Sequence, residues 1–499
     1  MNVHAIVLFC CFAASNAAKI LLTTMPQGRS HAGTFMPLMH RLVEDGHEVT
    51  VFFEIFRPEL PLGGGVKENL ILIKGDDMSV DNDPVFTNLI WSGSMRGITI
   101  AIPFYQASKT CSALLEKQPE DFYRLSNQTF DLVLTDSLFS PCGYALALLS
   151  KKPYVMMHSS DLEPVYSYLK GYGRNYGAVA PFSIAYEYPE FDVDKFYDRF
   201  GALVDFLETT FSAIVPANYF MQRAINPIVD NRYSLNTYIS QSSFSFYDMP
   251  ESVAWPMPGA NDLVSFGAHC KTAQPLKDEF ERFVADPKSK GTILIAFGTI
   301  CNWEFAPKRI VDAFVDALNR LSEYRIIWGY KGPKLDGLKS HVMVHPWIPQ
   351  ESILQDKRTK LFISHGGLKS FKEAVCSETP VVYMPMFAEQ LRNSWLARSL
   401  HFAEFLNKKN LTADYMEKQM RTILDDSSYQ TSVSKLRQFY NDRPSKPLDA
   451  GSFWFRRLLK YGGRMPEYFY RVGAKLNSFV YFHMDALSLI AVSMYIVAS

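Results

Sequence analysis

Two stretches of the chain carry residue types able to hold a phosphate and to move a proton. In the carboxyl half, Phe362-Ile363-Ser364-His365-Gly366-Gly367-Leu368 passes from a strand pattern through paired glycines into a helix. Glycines admit a ligand close to the backbone, and the unpaired N–H groups and dipole of the helix they open favour a phosphate. His365 adds a side-chain donor, and Glu373, two turns on, can accept hydrogen bonds from a ribose diol. In the amino half, His31 follows Gly28-Arg29-Ser30 where a strand gives way to a helix, and Asp136 ends another strand in Thr135-Asp136-Ser137. An imidazole with an unperturbed pKa of ~6.5 at the mouth of a cleft is suited to proton transfer. Plain structural roles compete: close strand–helix packing for the glycines, a turn or cap for the aspartate.

The elements that must position these residues alternate along the chain. Residues 20–25 read as a strand and lead through Gly28 into a helix with Phe35, Leu38, Met39, Leu42 and Val43 on one face; Gly46 stops it before a second strand at 48–53. A strand at 130–135 precedes a helical run beyond Pro141. A second series follows, with strands at 292–297, 325–329, 361–364 and 381–384 and a helix over 307–321. This alternation predicts an α/β chain of two doubly wound domains, with ligands beyond the carboxyl ends of the strands in a cleft between the halves. The prolines and glycine of 255–259 break the periodicity, giving an amino-terminal domain over 19–255 and a carboxyl-terminal one over 256–440. From 166 to 211 the chain is dense in aromatic residues, which suit a lipophilic pocket or core packing.

Further residues extend the glycine stretch. Trp347-Ile348-Pro349-Gln350 upstream offers an aromatic plate beside an amide, and Pro380-Val381-Val382-Tyr383-Met384-Pro385-Met386-Phe387-Ala388-Glu389-Gln390 downstream ends in two polar side chains past a buried strand. In this order, the segments resemble the donor-binding signature of the UDP-glycosyltransferase family, and of its animal UDP-glucuronosyltransferase branch in particular. The resemblance implies a GT-B architecture of two facing Rossmann-like domains, acceptor in the first and UDP-sugar in the second. It assigns Trp347 to stacking on uracil, Gln350 to the uridine and Glu373 to the ribose hydroxyls. Thr299 and His365, with the Gly366 and Gly367 amides, would hold the diphosphate; Ser370 belongs to the same donor surface; Glu389 and Gln390 would meet the sugar hydroxyls. His31 stands where the family has its catalytic base and Asp136 where it has the orienting carboxylate. Glu389 departs from the more frequent aspartate, and Leu368-Lys369-Ser370 from the common small or amide residues, departures that bear on donor choice. Pro447-Leu448-Asp449 and Phe453-Trp454 continue the resemblance. The implied reaction is inverting transfer of glucuronate or glucose to a hydroxyl of a small lipophilic acceptor, with no cofactor and no metal.

Composition bounds the alternatives. A chain of 499 residues is expected to form two or three domains. Basic and acidic residues number 51 each, so the chain lacks the basic footprint of a nucleic-acid binder. The D-x-D spacings Asp81-Asn82-Asp83 and Asp192-Val193-Asp194, of a kind metal-dependent transferases use, lie in the half away from the glycine pair and read as loop charges. Residues 1–18 read as a secretory signal, and the sequons at Asn127 and Asn410 fit a glycoprotein of the endoplasmic reticulum lumen. Cys111, Cys142, Cys270, Cys301 and Cys376 show no disulfide framework or zinc spacing. Helices are expected over 441–475. The apolar 476–499 is compatible with a membrane span, a half-span or a buried helix, since its charge-free part makes only ~21 Å of helix and a start at Asn477 reaches ~34 Å against a ~30 Å hydrocarbon core. A homo-oligomer is compatible with the sequence.

Two other classes stay open. Gly28-Arg29-Ser30-His31-Ala32 nearly gives the nucleophile elbow of a serine hydrolase, missing it at Ala32. A catalytically silent GT-B protein would bind UDP-sugars without turnover. An NAD enzyme is disfavoured because no G-x-G-x-x-G opens either domain.

Overall fold

The computed structural model describes residues 17–498 apart from 59–60, 174, 179, 181–190, 231, 256 and 258, so residues 1–16 of the expected signal lie outside the described residues. The first sheet comprises β1 (Lys19–Thr23), β2 (Glu48–Ile55), β3 (Lys67–Leu72), β4 (Leu132–Asp136), β5 (Tyr154–His158), β6 (Ser245–Tyr247) and β7 (Leu263–Ser265), in the order β3-β2-β1-β4-β5-β6-β7. The second comprises β8 (Thr292–Ala296), β9 (Arg325–Gly329), β10 (Val342–His345), β11 (Thr359–Ser364), β12 (Val381–Tyr383) and β13 (Ala403–Phe405), in the order β10-β9-β8-β11-β12-β13. Every pairing is parallel. A parallel sheet covered by crossover helices is buried on both faces and needs strands that are apolar throughout. Accordingly β4 and β8 are buried along their whole length.

In each sheet the chain winds outward from a central strand, then restarts on its other side. A crevice opens at that reversal, beyond the carboxyl ends of the two central strands. In the first sheet these are β1 and β4, whose exits carry His31 and Asp136; in the second they are β8 and β11, whose exits carry Thr299 and His365.

The domain boundary expected at 255/256 is corrected: β7 pairs with β6, so the break at 255–259 falls in a loop of the first domain. Breaker residues punctuate strand connections as readily as domains, and the crossing to the second sheet comes after Ser265. The helix Pro447–Lys460 returns to the first domain: Arg41 pairs with Asp449 at 3.2 Å, and the Phe246 and Phe455 rings lie 4.6 Å apart.

The two domains are closed on each other by buried contacts. Lys372 Nζ donates to Asp248 at 2.5 and 2.6 Å, and Arg392 Nη2 donates to Asp161 at 2.5 Å. Phe86 and Trp91, on the helix Pro84–Ser92, enter the core of the second domain, where Trp91 Nε1 donates to the Asn302 carbonyl at 3.0 Å.

The cysteines, in which sequence alone reveals no framework, form two disulfides, Cys111–Cys142 and Cys270–Cys376, and leave Cys301 buried and free. Their separations of 31 and 106 residues match no short spacing pattern, and only the fold brings them together. A non-reducing digest is expected to yield these two linked peptide pairs; recovering Cys270 and Cys376 as free thiols would contradict the fold at the domain crossing.

The expectation for the far terminus is corrected in part. The short helix Ser478–Tyr481 ends in a left-handed His483, φ +56°, before the helix Met484–Ala498. A continuous span from Asn477 is therefore broken, and a buried terminal helix is excluded because residues 484–497 are exposed throughout.

Candidate active site

Asp136 is fully buried at the end of β4, where its carboxylate accepts the Met25 N–H at 3.3 Å and the Leu138 N–H at 3.2 Å. These backbone donors fix it, and His31 Nδ1–H donates to the same carboxylate at 2.7 Å. With Nδ1 protonated by that bond, the Nε2 lone pair is free to accept; Ser159 Oγ stands 3.3 Å from it. Burial pulls the imidazole pKa down, but the charge and hydrogen bond of Asp136, joined by Glu389 and Glu163, outweigh it and leave the pKa above its ordinary value. That Glu389 contributes places this second-domain carboxylate within electrostatic reach of His31 across the cleft. One turn on, Gly33 and Thr34 line a cleft whose other wall holds Lys369, Lys372 and Glu373.

The opposite wall is built from the β8 and β11 exits. Gly366 lies in the left-handed region, φ +89°, and a Cβ there would come within 2.9 Å of the Gln390 carbonyl, so only glycine fits. Gly367 caps the helix Leu368–Ser377 without a side chain of its own, and the Leu368 N–H at the helix start meets the Glu389 carboxylate. Gly298 turns β8 so tightly onto His365 that a Cβ would sit 3.0 Å from the ring. Thr299 follows it, exposed. Burial pushes the His365 imidazole down to about 4, leaving it neutral at pH 7 and able to donate through one nitrogen.

Gln350 Nε2 donates to Glu373, and the buried Ser370 hydroxyl lies 3.5 Å from the same amide, so three of the expected donor residues form one cluster. Burial raises the Glu373 pKa. Trp347 is 60% exposed, and the Arg29 guanidinium of the first domain stands over its ring, 5.9 Å from the ring centre. Ala388 takes φ +53°, a strained turn that sets Glu389 and Gln390 at the start of the helix Gln390–Ser399. The Gln390 side-chain oxygen Oε1 accepts the Met386 and Phe387 N–H groups at 2.9 and 3.1 Å. Burial raises the Glu389 pKa.

The D-x-D segments are occupied otherwise. Asp81 pairs with Arg57 at 2.7 Å, Asp83 caps the helix Pro84–Ser92, and Asp192 pairs with Lys195 at 3.3 Å. Asn127 and Asn410 are both exposed. Sequence reasoning passes over Ser159, Asp161 and Asn393, whose amide donates to the Gly366 carbonyl at 2.9 Å. A signal existed for the first two: both follow β5 at the same carboxyl edge that carries Asp136.

Two facing parallel-sheet domains with this cleft are a GT-B glycosyltransferase fold. Solved structures agree: the glycosyltransferase of kitacinnamycin is similar at a TM-score of 0.59 and 15% identity, covering 89% of this chain and 100% of that one. The glycosyltransferase VinC, in complex with DTDP, is similar at a TM-score of 0.57 and 15% identity, with coverage of 89% and 100%. Residues 81–499 match the family described as UDP-glucoronosyl and UDP-glucosyl transferase, and the chain belongs to that family of UDP-glycosyltransferases. It is 24% identical to UDP-glucuronosyltransferase 1A8 of Rattus norvegicus, over 91% of this chain and 86% of the relative, and 26% identical to UDP-glucuronosyltransferase 2B13 of Oryctolagus cuniculus, over 91% and 87%. The match to UDP-glucuronosyltransferase 1-2 of Mus musculus, 26% identical, spans 71% of this chain and 65% of that protein.

Proposed function

We propose that the protein transfers a glycosyl group, glucuronate or glucose, from a UDP-sugar to a hydroxyl of a small lipophilic acceptor, with inversion and without a metal. The single observation that carries the reading is the 2.7 Å His31 Nδ1–Asp136 pair, which leaves Nε2 as the ring nitrogen available to an acceptor hydroxyl. The acceptor oxygen forms a bond to the anomeric carbon as the bond from that carbon to the diphosphate breaks. Its proton passes to Nε2, and Asp136 stabilises the imidazolium. UDP leaves with added negative charge, met by the N–H groups at Gly367 and by His365. Sugar hydroxyls reach Glu389 and Gln390. Disulfides form in oxidising compartments, so Cys111–Cys142 and Cys270–Cys376, with the exposed sequons, support the endoplasmic reticulum lumen.

The experiment is UDP release from UDP-glucuronate, UDP-glucose and UDP-galactose with a panel of phenols, in the presence of chelator. Saturable donor binding with no turnover over that panel would favour a silent binding protein. Trp347→Ala is expected to weaken uridine and UDP binding ~5- to 150-fold, the worth of one base–aromatic stack, with kcat much less affected. Equal binding of uridine by variant and wild type in a titration would remove the indole from the donor site.

One observation favours a second reading. Ser159, His31 and Asp136 stand in line as in a hydrolase triad, with Ser159 in the position for which Ser30 was the expected nucleophile. Ester cleavage that needs no nucleotide and is lost in Ser159→Ala would establish it; the transferase reading expects none.

A further inference from the structure

One residue beside the His31–Asp136 pair stands apart from its surroundings. From Tyr154 to Tyr168 every residue is buried except Ser159. Its neighbours hold it in place. The carbonyls on either side of it, those of His158 and Ser160, both accept the Asp248 N–H at 3.1 Å, and the Met249 N–H donates to the Ser160 carbonyl at 3.3 Å. Glu163 ties the same turn with both oxygens: His158 Nδ1 lies 3.0 Å from one, and Ser160 Oγ donates to the other at 3.2 Å. Asp161 anchors the turn to Arg392 of the second domain at 2.5 Å. The bracket is buried and bonded throughout, and only the Ser159 side chain faces the opening.

Ser159 Oγ stands 3.3 Å from His31 Nε2. An acceptor oxygen that gives its proton to Nε2 therefore comes within reach of the serine hydroxyl as well. Such an oxygen has four positions to fill. One holds its carbon skeleton, one the proton shared with Nε2, and one lone pair attacks the anomeric carbon. The second lone pair is left to accept from Ser159 Oγ–H. An arylamine nitrogen has a single lone pair, and once that pair attacks, the nitrogen can accept nothing. A site built to hydrogen-bond one atom type rejects an analogue that leaves its donor unpaired.

We propose that Ser159 makes the protein selective for oxygen acceptors, phenols and alcohols, over arylamines of the same shape, by donating its hydroxyl to the acceptor oxygen. This role presupposes the transferase reading above and adds to it the residue that chooses the acceptor atom. The acceptor oxygen bonds to the anomeric carbon as the bond from that carbon to the diphosphate breaks, and the acceptor proton moves to Nε2. Ser159 keeps its own proton throughout. A hydrolase nucleophile in its place would instead surrender that proton to His31.

The test uses the full chain and a matched pair of acceptors, para-cresol and para-toluidine. Ser159→Ala is expected to lower the phenol-to-amine ratio of kcat/KM ~10-fold, the worth of one hydrogen bond, and Ser159→Thr, which keeps a hydroxyl, to restore it. A ratio left unchanged by Ser159→Ala would overturn the proposal, since a merely structural serine supports both acceptors alike. Bound para-nitrophenol gives a second readout that needs no donor sugar. A hydroxyl donating to its oxygen favours the yellow phenolate, which should form about one pH unit lower on wild type than on Ser159→Ala. If no UDP-sugar gives UDP release with any acceptor, the transferase reading fails by itself and the phenolate titration decides the serine's role: a shift upholds it, and coincident titrations overturn it.

Discussion

Alanine in place of His31 is expected to lower turnover ~10²- to 10⁴-fold, the usual worth of a positioned general base. UDP binding should be unchanged, since the donor clusters on the opposite wall. The pH profile separates this role from a structural one. The base works only when neutral, so activity rises with pH through the His31 pKa, which Asp136, Glu389 and Glu163 hold above its ordinary value. Asp136→Asn removes the main upward influence and leaves burial, which acts downward. The acid limb of kcat/KM should therefore move to lower pH while kcat falls. A limb that stays in place, or moves up, would mean that another group titrates.

Replacing Lys372 with methionine is expected to be the most damaging change to stability. Asp248 is 1% exposed and its pKa is already pushed up to about 6 by burial, with Lys372 acting against that rise. Removing one partner of a buried pair costs about 3–5 kcal/mol, because the remaining charge is stranded. The sign with pH follows. A carboxylate whose folded-state pKa lies above its unfolded value opposes folding most at pH above both, and this penalty fades as pH falls through the folded value. Against wild type at each pH, the variant should thus show its largest loss in melting temperature at neutral pH and a smaller one near pH 5. Asp248→Asn combined with Lys372→Met should recover most of the loss. Equal destabilisation at every pH would point to lost packing by the lysine stem.

The doubly wound architecture is legible in the sequence wherever strands are long or helices well patterned. The stop at Gly46 and the apolar face from Phe35 to Leu42 define the first crossover, and the helix Arg29–Glu44 buries Phe35, Leu38, Met39 and Leu42. β6, β7, β12 and β13 have three residues each, too few for a period of two to stand out. β12 is legible through the prolines that flank it, Pro380 and Pro385; β7 is not, which displaced the domain boundary. The glycine pair is legible because a sharp turn between strand and helix constrains residue type locally. Cys270–Cys376, Asp248–Lys372 and Asp161–Arg392 are not, since each joins residues more than 100 positions apart whose partnership only the tertiary fold creates. Phe200, Leu203, Leu207 and Phe211 are exposed at helical spacing, but spacing alone does not say which side of a helix meets the core.

The buried pairs between the halves have a kinetic consequence. To discharge spent UDP the halves must part, and parting them rehydrates Asp248, Lys372, Asp161 and Arg392 and withdraws Trp91 from its socket. A barrier of that kind is set by the joint itself, independently of which acceptor has reacted. Turnover numbers for fast-reacting and slow-reacting phenols should therefore converge on a common ceiling, the rate at which the joint opens.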